Sequence, residues 1–279
     1  MLYMGSRGQG DICIIGVPFD STASFRPGAR FAPNAIREAS YCLEMYSPGQ
    51  DISLEDVSFM DSGDLELPPG DPFPALDMIE TEVSTRIKEG KTPFVIGGEH
   101  TLSLGSVRAV TKTYPGLKVI QLDAHADLRD KYLGQKLSHA TVMKRIIETI
   151  GDDCLRQIGI RSFTREESGL VRSLCVDTTG KLLDWAKGGP CYITCDLDIL
   201  DPSVLPGTGA PEPGGISFNE LVNMLLDLIY NLNIVGIDIV ELAPNIDVSG
   251  SSSVVAAKVV RECLLAIGKK ESEKDKKAI

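Results

Sequence analysis

Short apolar runs rich in β-branched residues recur along this chain, and stretches of helical period separate them. Ile12-Cys-Ile-Ile-Gly-Val17 reads as a strand, and Pro33-Asn-Ala-Ile-Arg-Glu-Ala39 as the opening of a helix. Leu76, Ile79, Val83 and Ile87 keep helical spacing, with Gly90 placed to end that helix. Phe94-Val-Ile96 is a second strand, followed by a helix with Leu104, Val107 and Val110 on one face, and Leu117–Leu122 is a third. Val142, Ile146 and Ile150 are in helical register, and further strands read at Leu155–Ile160, Cys191–Cys195 and Ile234–Val240. Ser217-Phe-Asn-Glu220 is a capping box before Leu221, Leu225 and Leu228, and Ser253–Ile267 forms a last, strongly apolar helix. Such alternation demands βα units, hence an α/β fold with a central parallel sheet covered by helices on both faces. No internal repeat or linker-like break interrupts it. The expected organisation is a flexible N-terminus at 1–10, one domain over 11–268 and a charged, solvated tail at 269–279.

The strand ends carry the chemistry. The three histidines are His100, in Gly97-Gly98-Glu99-His100, His125, in Asp123-Ala-His-Ala-Asp127, and His139. Asp196 and Asp198 follow the strand Cys191–Cys195, and Glu241 follows Ile234–Val240. Carboxyl ends of parallel strands are where such sheets place ligands, so four segments are brought to one site. In an extended backbone, alternation aims Asp123, His125 and Asp127 at one point and Asp196 with Asp198 at another. Carboxylates packed that closely repel unless cations lie among them. Two imidazoles with four carboxylates and no cysteine at ligand spacing suit Mn²⁺, Mg²⁺ or Fe²⁺ over structural zinc, and the imidazoles disfavour Mg²⁺. Six ligands exceed one tetrahedral ion, and two divalent ions balance four aspartates. A binuclear Mn²⁺ centre is the preferred reading.

The remaining candidates are softer. Glu99 reads as support for His100 or as an ordinary surface carboxylate. His139 suits proton transfer because its pKa lies near neutrality, and Glu241 suits holding a cation beside the metals. Pro206–Gly215 lacks the Lys-Ser/Thr of a phosphate loop and reads as a rigid lip over the site.

Composition narrows the partners. A net charge of −11 over 279 residues argues against nucleic acid, which wants a basic face, and accords with a cationic substrate. Seven cysteines without a Cys-x-x-Cys, several inside apolar runs, suggest buried thiols in a reducing cytoplasm. No stretch approaches the length of a membrane span.

Taken as a set, these segments resemble the signatures of the ureohydrolases, the family of arginase, agmatinase and guanidinobutyrase. The matching residues are Gly97–His100, Asp123–Asp127, Asp196-Leu-Asp198, Asp238-Ile-Val-Glu241, Gly16–Ser21, Arg26–Ser40 and Pro206–Gly215, and the resemblance spans about residues 10–268. It is greatest to agmatinases of archaeal and bacterial type. The resemblance implies an arginase-like fold holding two Mn²⁺ per subunit. One ion would take His100, Asp123, Asp127 and Asp196, and the other Asp123, His125, Asp196 and Asp198, so that Asp123 and Asp196 bridge. Glu241 would bind the guanidinium, His139 would lie near the substrate, and His139 or Asp127 would protonate the leaving amine. It further implies hydrolysis of agmatine to putrescine and urea, and assembly as a homo-oligomer (trimer or hexamer). The alternatives are another guanidine, 4-guanidinobutyrate or arginine, with Arg129 or Lys131 meeting a carboxylate, or a non-catalytic binding protein. The zinc deacetylases that share this fold would not need the full ligand set.

Overall fold

The computed structural model describes residues 1–278. Its strands are β1 (Ile12–Val17), β2 (Tyr46–Ser47), β3 (Ile52–Ser53), β4 (Phe59–Asp64), β5 (Thr92–Gly97), β6 (Lys118–Leu122), β7 (Leu155–Ile158), β8 (Pro190–Asp196) and β9 (Asn233–Val240). The α-helices are α1 (Ala32–Ser40), α2 (Pro72–Lys88), α3 (Ser103–Thr113), α4 (Val142–Ile150), α5 (Ser168–Leu174), α6 (Thr179–Ala186), α7 (Phe218–Asn231) and α8 (Ser251–Ala278). Seven strands form one sheet in the order β4-β1-β5-β9-β8-β6-β7, every pairing parallel, while β2 and β3 make a small antiparallel pair.

Strand alternation explains why the central strands are apolar throughout. Ile12, Ile14, Phe94, Ile96, Ile120, Ile193 and Ile237 face one core, which α1, α6, α7 and α8 close. Cys13, Ile15, Val95, Val119 and Tyr192 face the other, under α2, α3, α4 and α5. A strand with both faces buried cannot alternate polar with apolar, so it reads as a continuous run. The capping box at Ser217 is formed as expected: Ser217 N donates to Glu220 Oε2 at 2.8 Å and Glu220 N to Ser217 Oγ at 3.3 Å.

Both chain ends make specific contacts. Within residues 1–10, Tyr3 is buried, its hydroxyl donates to Ala257 O at 2.6 Å and its N–H to Asp61 at 2.8 Å. The last helix runs past the expected Ile267, since α8 continues to Ala278. Lys269 donates to Gln50 O at 2.7 Å and Lys270 to Ile229 O at 2.6 Å and to Leu232 O. Lys270 thus sets a cation on the free carbonyls that end α7, where the helix dipole favours one. Ile279 of the expected tail lies outside the described residues. Strand β4 was not expected because Asp61, Ser62, Gly63 and Asp64 break its apolar run. Arg37 satisfies those acids from α1, donating to Asp61 at 2.7 and 2.8 Å and also to Asp64.

Helix α8 is pinned at its start by Asp247, which accepts from Ser249 N (3.0 Å) and Ser252 N (2.8 Å) and from both serine hydroxyls. Ser252 Oγ in turn accepts from Gly207 N at 2.9 Å, tying the helix to the 206–215 lip. The hydrogen bonds from Ser249 and then Ser252 lower the Asp247 pKa from 3.8 to about 2. Asp247→Ala should destabilise the fold by about 1–2 kcal/mol, as loss of a capping carboxylate does. Because the folded pKa is depressed, the charge-dependent part is present above pH 3.8 and fades as pH falls towards 2. Denaturant titrations of both proteins from pH 7 downwards should show the gap closing in that window. A gap independent of pH would contradict it.

Candidate metal centre and substrate cavity

Strands β5, β9, β8 and β6 are consecutive neighbours in the sheet, and each delivers a candidate residue at its carboxyl end. His100 opens the turn after β5, Glu241 follows β9, Asp196 ends β8 and Asp123 follows β6. The Gly-Gly of the first motif has a steric reason. A Cβ on Gly98 would lie 1.8 Å from Phe19 O, so only glycine lets the 19–22 loop pack here, with Glu99 N donating to Phe19 O at 2.7 Å.

The six candidate ligands do converge, but in a different grouping from the one alternation suggested. His100 Nδ1 lies 3.0 Å from Asp123 Oδ2, 3.2 Å from Asp127 Oδ2 and 3.4 Å from Asp196 Oδ2. His125 Nδ1 lies 2.9 Å from Asp198 Oδ2 and 3.8 Å from Asp123 Oδ1. There are thus two donor sets, one built on His100, Asp123 and Asp127 and the other on Asp123, His125 and Asp198, with Asp123 in both. Asp127 and His125 part company because Asp127 turns into the left-handed region (φ 53°) and the segment leaves the strand. Asp196 and Asp198 part because a 3₁₀ turn follows β8, in which Asp196 Oδ1 accepts from Asp198 N at 2.8 Å.

A second layer holds the donors. Thr194, two residues before Asp196 on β8, gives its hydroxyl proton to Asp238 Oδ1 at 2.6 Å, and Tyr192 donates to Asp238 Oδ2 at 2.8 Å. With that proton committed, Thr194 accepts from His100 Nε2–H at 2.8 Å, and the Nδ1 lone pair is left aimed at three carboxylates. That nitrogen is buried and has no hydrogen-bond partner, which fits a metal ligand and little else. Gln157 donates to Gln121 Oε1, and Gln121 donates to Asp123 Oδ2 at 2.6 Å, fixing the shared carboxylate in the same way. Sequence reading passed over Thr194, Gln121 and Gln157. The available signal was a polar side chain inside an otherwise apolar buried strand.

Protons and divalent ions compete for this cluster. Burial works against a charge on His125, yet its hydrogen bond to Asp198 and the charges of Asp198, Asp123 and Asp127 lift it to about 10. Burial likewise opposes a charge on His100, but Asp123, Asp127 and Asp196 raise it well above 6.5. Burial, then the charges of Asp198 and Asp127, pushes Asp123 up to about 7.

His139 stands at the cavity wall. Ser24 Oγ is 3.1 Å from its Nε2, its backbone N–H donates to Thr22 Oγ1 at 3.0 Å, and Thr22 Oγ1 is 3.5 Å from its Nδ1. Burial lowers its pKa from 6.5, favouring the neutral imidazole. Glu99 is neither a surface residue nor a partner of His100. Its side chain is 1% exposed and accepts from Thr22 N at 2.9 Å and Thr22 Oγ1 at 2.6 Å. Glu241 also takes a left-handed backbone (φ 68°), and its Oε1 accepts from His100 N at 2.7 Å. Burial, followed by the charge of Glu99, raises it to about 8. Asp127 and Glu241 are thus two of four described non-glycine residues with positive φ, strain that tends to mark functional positions.

A cavity of about 290 Å³ opens above these groups. His125, Asp127, Asp196, Asp198 and Glu241 form its floor, and Phe25, Arg129, Tyr132, His139, Phe163 and Gly209 are among its walls. Of the two basic residues considered for a carboxylate, Arg129 lines this cavity and Lys131 does not. The Arg129 guanidinium lies over the Tyr132 ring, 4.7 Å from its centroid, and its Nε is 3.9 Å from Glu167.

The model of the Arginase family matches residues 10–266. An agmatinase of Bacillus anthracis is 42% identical over 266 residues, covering 92% of each chain. A solved structure from Clostridium difficile superposes with a TM-score of 0.88 at 42% identity, covering 94% of this chain and 99% of that one. The agmatine ureohydrolase of Thermoplasma volcanium gives a TM-score of 0.86 at 32% identity, covering 98% and 96%. The sheet order, the strand-end site and these likenesses agree: this chain belongs to the arginase family, and its fold is arginase-like.

Proposed function

We propose that this chain is a binuclear manganese hydrolase that cleaves the guanidinium group of agmatine, yielding putrescine and urea. The observation that carries the proposal is a pair of donor sets sharing Asp123 on the floor of a cavity that also presents Glu241. On this reading His100, Asp123, Asp127 and Asp196 hold one ion, and Asp123, His125, Asp196 and Asp198 the other. The donor chemistry, carboxylate-rich with two imidazoles, favours Mn²⁺. Such a pair supplies a water of lowered pKa and Lewis-acid stabilisation of developing charge.

The chain's own residues do the rest. Glu241, with Oε1 engaged by His100 N, leaves Oε2 on the side of Gly209 to receive the guanidinium by charge-assisted hydrogen bonds. His139, kept neutral by burial, accepts or passes a proton at the wall, and Asp127 is the carboxylate placed to share in protonating the leaving amine. Phe163 and Tyr132 give the methylene chain an apolar path, and water is displaced from it. The agmatinases among the relatives support this substrate. One observation favours a second reading: Arg129 in the cavity wall suits the carboxylate of 4-guanidinobutyrate. A purely binding role has less support, because two donor sets and Glu241 lie together at one cavity.

Seven unpaired cysteines accord with a reducing cytoplasm, and no helix among the described residues is long and apolar enough to cross a membrane. Exposed Phe25, Phe31 and Val248 accord with a homo-oligomer.

Three measurements bear on this reading. Urea release from Mn²⁺-loaded protein, with agmatine, arginine and 4-guanidinobutyrate in parallel, should be dominated by agmatine. Release from none of them, with both ions bound, would sink the hydrolase assignment. Loading should also expel protons, because imidazoles and carboxylates held high in pKa must ionise or become neutral ligands. Calorimetry at pH 7.5 in buffers of different ionisation enthalpy should show that release, and Mn²⁺ affinity should rise with pH. Pure buffer independence is the contrary result. Thr22→Val should lower kcat by roughly 10-fold with little change in KM, as befits displacement of a proton-transfer group, while Thr22→Ser stays near wild type. Equal losses in both variants would remove the hydroxyl from the argument.

A further inference from the structure

The segment at the end of β7 contributes no metal-ligand candidate, yet it touches both the loop that carries Asp123 and the turn that carries Asp198. Ile158 O accepts from Asp123 N at 3.1 Å, Ala124 O accepts from Arg161 N and Ser162 N at 2.8 and 2.9 Å, and Ser162 O accepts from Ala126 N at 3.2 Å. The Asp123–Asp127 loop is therefore laced to residues 158–162 by backbone hydrogen bonds. On its other side the segment meets the turn that carries Asp198. Gly159 has φ +94°, and a Cβ there would lie 2.7 Å from the Ile199 side chain and 2.8 Å from Asp123 O.

Arg161 reaches across this junction. Its Nη2 donates to Asp198 O and Glu212 O, both at 2.7 Å. Its Nη1 donates to Gly159 O and Ile199 O at 3.3 Å, and its Nε to Glu212 O and Pro213 O at 3.2 Å. Among the described residues its guanidinium has no carboxylate partner; its ligands are carbonyl oxygens. These belong to the end of the 3₁₀ turn Leu197–Ile199, whose last carbonyls lack partners within the turn, and to the lip over the cavity. A planar fork with five N–H donors can serve several carbonyls from separate segments at once; a lysine ammonium has three donors at a single point.

We infer that Arg161 is a positioning residue for the His125–Asp198 half of the metal centre, locking the turn that presents Asp198 to both the Asp123 loop and the lip. The inference rests on the two-ion reading above. Arg161 touches neither the donor atoms nor the cavity, so it acts through the backbone of Asp198. Its loss should loosen one metal position and spare the other, which His100, Thr194 and Asp238 hold from the far side.

The test is metal stoichiometry and affinity of the full-length chain, wild type against Arg161→Lys, by calorimetric Mn²⁺ titration, with anomalous diffraction to locate the ions. Wild type should bind two ions. Arg161→Lys should keep the first affinity and lose roughly 10- to 100-fold in the second, the scale for groups that orient ligands. The ion missing from the map should be the one beside His125 and Asp198. Arg161→Gln, which keeps an amide N–H donor but loses the multi-carbonyl fork, should give the same selective loss if Arg161→Lys does not fold. Two ions bound with wild-type affinities in a folded variant would overturn the inference, as would equal weakening of both. Fewer than two ions in wild type would instead sink the two-ion reading, whatever Arg161 does.

Discussion

Everything near the mouth of this sheet answers to one constraint: four aspartates brought from two strands into a space where charge is poorly solvated. Asp123, Asp127, Asp196 and Asp198 are all less than a tenth exposed. Buried like charges cannot persist without cations or protons, and the two histidines alone supply at most two positive charges. Hydrogen bonds from N–H groups fix the direction of three of the aspartates. Asp123 takes Gln121 on Oδ2 and His125 N on Oδ1, while Asp196 takes Asp198 N and Asp198 takes Ala124 N on Oδ1, leaving the Oδ2 atoms towards His100 and His125 respectively. The hydrogen bonds fix direction while leaving most of the charge to be met by something bound.

The topology makes that gathering possible. Strands β5, β6, β8 and β9 are far apart in sequence but consecutive in the sheet, as β5-β9-β8-β6. Parallel pairing through βα crossovers places their carboxyl ends side by side, and the order in which the chain visits them switches direction there. One strand end gives one or two ligands; only the neighbourhood gives a site. The helices α1, α6, α7 and α8 on one face and α2 to α5 on the other make the sheet stiff enough to keep donor atoms about 3 Å apart.

Much of this was legible in the residues and some was not, for physical reasons. Strands buried on both faces and helices with clear periods announce themselves, so β1, β5, β6, β8, β9 and the long helices were readable. The edge strand β4 was not, because Arg37 compensates its acids from a helix far away in sequence. Ligand identity was readable from residue type, but the pairing of ligands was not. Extended alternation would have grouped Asp123 with His125 and Asp127, and a left-handed turn at Asp127 and a 3₁₀ turn at Asp198 regroup them. Thr22, Thr194, Arg161 and the true role of Glu99 depend on contacts between segments that are distant in the chain. No local pattern carries those.

The charges that remain after the metals are counted bear on what the cavity will accept. If two divalent ions balance the four aspartates, Glu241 and Glu99 are left as acids under the same cavity, and Glu99 is spent on Thr22. Glu99 nevertheless raises the pKa of Glu241, so the cost of ionising Glu241 is met most readily when a cation arrives beside it. A guanidinium brings a permanent charge and planar N–H donors to that oxygen; a neutral amide brings none of the charge. Arg129 does not fill this role itself, because its guanidinium lies over Tyr132 and its Nε faces Glu167 at 3.9 Å. The floor therefore selects for a cationic planar head group, and the wall residues are left to discriminate among the tails attached to it.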